Sequence, residues 1–338
     1  MNPFKYTRAQ TVATVMQSMS TNSNAKLLAG GTNLVDLMKE GVENPDELID
    51  INGLKGTKFT SVTKLVSGAN AGGVAIGALA TNTDTANHPL IVKDFPLLSQ
   101  SILAGASAQI RNMATNGGNL LQRTRCSYFY DTAMACNKRA PGTGCGAMEG
   151  INRMHAIFGW SGACIAVNPS DMNVALAALG AKVMVQGANG QARAIPFADF
   201  HRLPGDEPSK DNTLAPGELV VSIEIPKNKF AATSYYLKVR DRASYAFALV
   251  SVATGLEITG GKISSARIAM GGVAHKPWRA LEAEQYLAGK QPTSDHFNAA
   301  ALLEMKRAKP LEHNAFKVEL GQRAIAYALS KAMKINAT

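Results

Sequence analysis

The sequence predicts an α/β protein that closes with an α+β domain, and three observations carry that prediction. Up to Pro226, short apolar strands alternate with stretches of helical periodicity, as where Lys26-Leu27-Leu28-Ala29 is followed by Leu34 to Lys39. Beyond Ala232 the order changes to strands first and helices second, which marks an α+β unit. Between these blocks, Arg111 to Asp171 is rich in Gly, Arg and Asn and holds all four cysteines of the 338-residue chain. That stretch has too little apolar content to build a core of its own.

Taken in order, Ala9 to Met19 has helical periodicity behind Thr7 as a possible cap. Lys26 to Ala29 reads as a strand running into Gly30-Gly31-Thr32-Asn33, with a helix over Leu34 to Lys39. Glycines at such a turn let backbone N–H groups approach an anion such as a pyrophosphate. The turn is not G-x-G-x-x-G, so a Rossmann site is not indicated. Glu47 to Ile51, Lys64 to Val66 and Gly73 to Gly77 read as strands, Thr81 to Asp84 as helix caps, and Phe95 to Ala106 as a small-residue helix. Ser170-Asp171 caps a helix through Val174 to Leu179, Gly180 stops it, and Lys182 to Gln186 and Glu218 to Ile225 are strands. Pro226 to Ala232 is the expected boundary. After it come strands over Tyr235 to Val239, Phe247 to Ile258 and Ile263 to Met270, then helices over Trp278 to Leu287, His296 to Ala308 and Ala315 to Met333.

Length allows two or three domains, and 46% hydrophobic residues supply their cores. No apolar run reaches the roughly 18 residues of a membrane span. The N-terminal residues lack a secretory h-region, which argues for the cytoplasm unless the chain is exported with a partner that carries a signal. The formal charge of +10 suits an anionic cofactor or acidic partner. No run of Lys and Arg, zinc finger or RNA-binding signature favours nucleic acid. The densest basic spots, Arg123-Thr124-Arg125 and Lys138-Arg139, fall among the cysteines, where they could offset the charge of a thiolate-bound cluster.

The cysteines, Cys126, Cys136, Cys145 and Cys164, are spaced Cys-x9-Cys-x8-Cys-x18-Cys. Three readings stay open on the residues alone. Disulfides are not needed by a chain with so large a core. Structural zinc favours shorter paired spacings. A four-thiolate [4Fe–4S] site tolerates loops of this length. His155 could replace one thiolate, although a surface or packing role is the plainer reading. Tyr128, Phe129 and Tyr130 could shield a cluster or simply pack, and Asp131 could cap. No Ser-His-Asp set, paired-carboxylate site or P-loop stands out, which favours electron transfer over bond-making chemistry.

Four segments carry a family resemblance: Ala29-Gly30-Gly31-Thr32-Asn33-Leu34, Gln109-Ile110-Arg111-Asn112, Thr115-Asn116-Gly117-Gly118-Asn119-Leu120 and Pro169-Ser170-Asp171. Together with Arg240 to Ala246 and Gly271 to Arg279, they resemble the flavin (medium) subunits of the molybdenum hydroxylases, the xanthine dehydrogenase and carbon monoxide dehydrogenase family. Within it, the chain is most similar to the flavin subunits of bacterial periplasmic aldehyde oxidoreductases.

The resemblance implies a PCMH-type FAD-binding fold of two α/β subdomains, residues 1–56 and 57–226, and a C-terminal α+β domain of the CO dehydrogenase flavoprotein type, residues 230–338. It implies FAD held by Lys26, Leu27, Leu28, Ala29, Gly30, Gly31, Thr32, Asn33 and Leu34, with the backbone from Leu28 to Leu34 around the pyrophosphate. Thr115, Gly117, Gly118 and Asn119 would form the second cofactor loop, Asp171 would meet the ribityl or adenosine region, and Lys238 is carried over with them. Residues 121–168 become an insertion of the kind that holds a [4Fe–4S] cluster in the aldehyde oxidoreductase and 4-hydroxybenzoyl-CoA reductase flavin subunits, with the four cysteines as ligands.

The expected assembly is a heterotrimer with a molybdopterin subunit that oxidises aldehydes and a small subunit carrying two [2Fe–2S] clusters. This chain would pass electrons through FAD to an external acceptor. Export with a partner subunit to the periplasm is the localisation the resemblance implies. The reading of another class is a zinc- or disulfide-stapled, non-catalytic interaction subunit. A free-standing flavin oxidase would instead turn over substrate alone.

Overall fold

A computed structural model describes residues 1–54, 56–187 and 190–335. The last three residues of the expected C-terminal domain, and Lys55 near the first boundary, lie outside the described residues. Three sheets follow one another along the chain. The first is parallel, in the order β1 (Lys5–Arg8), β3 (Glu47–Asp50), β2 (Ala25–Leu28). Its central strand is buried at every position, as a parallel strand covered on both faces must be.

Two expectations fail at the N-terminus. Lys5–Arg8 is an edge strand, and the helix begins only at Val12, capped by Thr11, whose Oγ1 accepts from Thr14 N at 3.2 Å. Thr7 caps nothing; its Oγ1 donates to Glu47 Oε1 at 2.6 Å. Lys5 to Arg8 has no apolar alternation, so its strand exists only through pairing with β3.

The second sheet is antiparallel, in the order β4 (Val62–Lys64), β5 (Val74–Gly77), β8 (Leu219–Ile225), β6 (Lys182–Gln186), β7 (Ala192–Pro196). β7 is mostly exposed and too polar to have been read from the sequence. The third sheet is a meander of β9 (Ser234–Val239), β10 (Val250–Thr259), β11 (Lys262–Gly271) and β12 (Trp278–Arg279). Gly260 and Gly261, at φ +59° and +74°, form the two-residue turn between β10 and β11, where both central residues need positive φ.

Helices Leu281–Leu287, Ser294–Met305 and Phe316–Ala332 share one hydrophobic cluster with this sheet. Trp278 and Arg279 are strand, not the first turn of the expected helix. Their side chains pair with Glu304 and Glu284 at 2.9 and 2.6 Å, and these contacts hold the two residues extended. No helix among the described residues is long and apolar enough to cross a membrane.

Helix Asp171–Leu179 joins the second and third units. All nine of its residues are buried, and its side chains share one core with β5, β6, β8, β10 and β11. A helix apolar all round must be covered on every side. Ser170 Oγ accepts from Asn173 N at 3.1 Å, and Gly180 ends the helix at φ +65°. Close packing fixes its position: a Cβ on Gly271 would stand 2.5 Å from Val174 Cγ2.

Candidate functional site

A cleft of about 470 Å³ opens between the three units. Its walls include Thr32 and Asn33 of the first Gly-rich loop, Gly118 and Asn119 of the second, and Asp171 and Lys238. The first loop packs against the end of the helix Ala108–Met113, just ahead of the second loop, because Gly30 has no side chain: a Cβ there would lie 1.9 Å from Met113 O. Gly31, at φ +72°, turns the chain from β2 into helix Leu34–Lys39. Asn33 Oδ1 accepts from Arg123 N at 2.9 Å, while its Nδ2 is buried with no partner. Arg125 Nε, on the same wall, is likewise buried and unpartnered. Buried donors of this kind call for an acceptor from a ligand or water.

The second loop is oriented by a buried amide network. Thr115 Oγ1 accepts from Gly118 N at 3.2 Å, and Gly117 sits against Ala78. Asn119 Nδ2 donates to Asn82 Oδ1 at 2.7 Å, and its Oδ1 accepts from Ser170 Oγ at 2.7 Å. The loop is thereby tied to the start of helix Asp171–Leu179. Asp171 Oδ2 lies 2.8 Å from Lys238 Nζ, and Tyr236 OH donates to Asp171 Oδ1 at 2.6 Å. Burial, then the Asp171 charge, pushes the Tyr236 phenol well above its ordinary value, so it stays a donor.

Lys26, Leu27, Leu28, Ala29, Gly30, Gly31, Leu34, Thr115 and Gly117 do not appear among the cleft-lining side chains. Lys26 instead lies 3.3 Å from Glu43, and Leu27 and Ala29 pack on the first core. Nothing in the sequence assigned a cleft role to Arg125, Met154, Arg242, Tyr245 or Phe247, which line the cleft, or to Tyr236 beneath it. Two cleft residues adopt the left-handed region without being glycine, Ala106 at φ +49° and Tyr245 at +52°. Such outliers concentrate at functional sites.

The cysteine stretch sits beside this cleft. All four cysteines are free and line one pocket with Tyr128, Phe129 and Lys138. Cys136 and Cys145 face each other across an isolated bridge. Burial pushes the Cys126 thiol up to about 12 and the Cys164 thiol up to about 11, the latter against the opposing pull of the Lys138 charge. The disulfide reading is therefore set aside. Among the described residues, no group of three or more His, Cys, Asp or Glu side chains is placed to hold a single metal ion.

The basic residues expected to offset a cluster charge also make ion pairs and carbonyl contacts, while the Lys138 charge still acts on Cys164. Arg123 binds Glu43 and Asp211 at 2.6 and 2.9 Å, Arg125 binds Asp36 at 2.8 Å, and Lys138, itself buried, binds Asp211 at 2.5 Å. Arg139 Nη1 donates to the carbonyls of Tyr128 and Phe129 at 2.9 and 2.8 Å. The Arg123, Arg125 and Lys138 pairs anchor the stretch to the first and second units, the Arg139 bonds tie it internally, and Phe129 packs fully buried on Leu37. Asp131 is the C-cap residue of the helix Ser127–Tyr130, its N–H donating to Ser127 O at 2.8 Å, and its Oδ1 accepts from Ala133 N at 3.0 Å. His155 is not a surface histidine: it is 4% exposed, and its Nε2 lies 3.1 Å from Cys126 Sγ. Burial, chiefly, lowers its pKa to about 4.

Three sheets around one cleft, with residues of two glycine-rich loops on its walls, define a cofactor-binding subunit. Residues 2–228 match the FAD binding domain in molybdopterin dehydrogenase, and residues 235–332 match the CO dehydrogenase flavoprotein C-terminal domain. The chain belongs to this family as an FAD-binding medium subunit of the molybdenum hydroxylases, an oxidoreductase subunit of the kind found in aldehyde oxidoreductases.

It is 48% identical to the aldehyde oxidoreductase FAD-binding subunit of Escherichia coli (strain K12), covering 98% of this chain and 99% of that one. It is 28% identical to the glyceraldehyde dehydrogenase medium chain of Sulfolobus acidocaldarius over 86% of this chain and 83% of that one. The fold is similar to a chain of the solved carbon monoxide dehydrogenase of Hydrogenophaga pseudoflava, at a TM-score of 0.75, 25% identity and full coverage of both.

Proposed function

We propose that this chain is the FAD- and [4Fe–4S]-containing electron-transfer subunit of a heterotrimeric aldehyde oxidoreductase. Its partners are a molybdopterin subunit and a small [2Fe–2S] subunit, and it delivers electrons to an external acceptor. The observation that carries the reading is the cleft itself. The first glycine-rich loop packs at Gly30 against Met113, just ahead of the second, and the Asn33 and Arg125 side chains leave unpartnered buried donors on the cleft wall. FAD, when bound, supplies one- and two-electron chemistry that no side chain here provides.

The chain's own residues bind and orient it. The backbone from Leu28 to Leu34 offers N–H groups to the pyrophosphate, with Lys26 and Leu27 in the supporting strand. Thr115, Gly117, Gly118 and Asn119 form the opposing loop. Asp171, held by Tyr236 and Lys238, presents its remaining lone pairs to the ribityl or adenosine region. The three segments 1–56, 57–226 and 230–338 act as the two flavin subdomains and the closing domain.

For the cluster, support comes from the ligand set. Four free thiols line one pocket, and burial pushes two of them, Cys126 and Cys164, up. Cys126, Cys136, Cys145 and Cys164 would hold it, and it would supply one-electron capacity.

The test is a visible spectrum with iron analysis of the purified complex. Flavin bands with broad iron–sulfur absorption are expected, and Cys136→Ser should lose about four irons while retaining flavin. A colourless complex, or iron unchanged in that variant, defeats the reading. The isolated chain should not oxidise aldehydes.

A further inference from the structure

Among the four cysteines, Cys126 alone lines both the cysteine pocket and a second cavity that shares Arg125, Met154, Pro169, Asp171 and Phe247 with the flavin cleft. It is therefore the thiol corner that faces the flavin. His155 lies on the wall of that second cavity and not on the wall of the cysteine pocket, although its Nε2 is 3.1 Å from Cys126 Sγ. A ligand would reach into the pocket; this ring meets a ligand's sulfur from outside. Its backbone is fixed on both sides. His155 N donates to Asn152 O at 3.0 Å, and His155 O accepts from Lys317 Nζ at 3.0 Å and Asn314 Nδ2 at 3.3 Å. The ring's other nitrogen, Nδ1, is buried with no partner.

We propose that His155 is a positioning residue that donates its Nε2–H to the Cys126 sulfur and so raises the reduction potential of the cluster at its flavin-facing corner. The proposal rests on the cluster reading above. A metal-bound thiolate has no proton to give, so the bond requires the proton on the histidine. Nδ1 meets no acceptor, so a proton there would be unpaired, whereas on Nε2 it has one. A hydrogen bond to a ligand sulfur draws electron density from it and favours the reduced, more negative state. Such bonds are among the groups that set cluster potentials.

The experiment is a redox titration of the purified complex, followed by the electron paramagnetic resonance of the [4Fe–4S] signal and by flavin absorbance. His155→Leu, with iron retained, should move the cluster to lower potential and leave the flavin unmoved. His155→Gln, which keeps an N–H at similar reach, should move it less. In the wild-type complex labelled with ¹⁵N-histidine, the cluster signal should show a weak coupling to one histidine nitrogen. This measurement decides the matter if His155→Leu fails to load.

An unmoved potential in His155→Leu overturns the inference, as does an absent nitrogen coupling. A strong coupling of direct coordination overturns it too, because His155 would then be a ligand. Wild-type iron well below about four per chain overturns the cluster reading itself, and the inference with it. Full iron with an unmoved potential overturns the inference alone.

Discussion

The flavin cleft and the cysteine stretch lie side by side but are held by different forces. The cleft floor is a consequence of apolar packing: helix Asp171–Leu179 is buried along its whole length, and the Asp171–Lys238–Tyr236 group rides on it. The cysteine stretch has one short helix, Ser127–Tyr130, a small apolar contact around Phe129, and Ile157 and Phe158 set into the core of the third unit. The ion pairs of Arg123, Arg125 and Lys138 tie its first half to the first and second units. The difference teaches that an insertion with few core residues of its own can be placed by a short apolar anchor at one end and partly buried ion pairs at the other, each pair useful only while both partners remain.

Breaking the cleft side should have the larger effect. Lys238→Met leaves the Asp171 carboxylate buried with only Tyr236. Removing one partner of a buried pair costs about 3–5 kcal/mol, so the variant should show a large fall in the denaturant midpoint together with flavin loss. A midpoint within about 1 kcal/mol of wild type would mean that the cleft floor does not depend on this pair.

On the cysteine side, Asp211→Asn removes the common partner of Arg123 and Lys138. With Asp211 partly exposed, a loss of about 2–3 kcal/mol is expected, below the fully buried case. Iron should fall with flavin retained, as measured by metal and flavin content. Equal loss of both cofactors would dissolve the distinction between the two regions.

Acid should weaken the seam between them. His201 and His275 are buried neutral, each with its pKa lowered by burial from 6.5 to about 4. Between those values the unfolded chain binds protons that the folded chain refuses. Stability is therefore full above pH 6.5 and falls as pH drops from 6.5 to 4, by ~1.4 kcal/mol per pH unit for each histidine. Denaturation series at pH 7 and pH 5 would measure it, and His275→Gln should flatten the slope.

The smallest effect is expected at Arg153→Ala. Its bidentate pair with Asp241, at 2.9 Å on both arms, clips the cysteine stretch to the loop at the cleft mouth but is half-exposed. Under about 1 kcal/mol should be lost. Faster flavin release by stopped-flow dilution would show that the clip acts on the mouth rather than on global stability.

Much of the scaffold was legible in the sequence because it rests on local rules. Gly30-Gly31 between an apolar strand and an amphipathic run, Ser170 before a helical stretch and Gly180 after it each act within a few residues. The N-terminal strand and β7 were missed because their side chains carry no apolar alternation; only a neighbouring strand makes them strands. The start of the helix after Trp278 was misplaced for a similar reason. Trp278 and Arg279 are held extended by Glu304 and Glu284, 26 and 5 residues away.

By itself, the sequence determined that the chain carries strand–turn–helix units, that its cysteines belong to one weakly apolar stretch, and that two glycine-rich segments lie ahead of the cysteines. Only the tertiary structure decided that the first loop packs at Gly30 against Met113, that Asp171 is clasped by Tyr236 and Lys238, that the basic spots are tied into ion pairs with Glu43, Asp36 and Asp211, and that His155 lies against Cys126. The physical reason is range. Propensity, capping and periodicity act within a turn or two, whereas these pairings join residues 29 to more than 80 positions apart and leave no period in the chain to read.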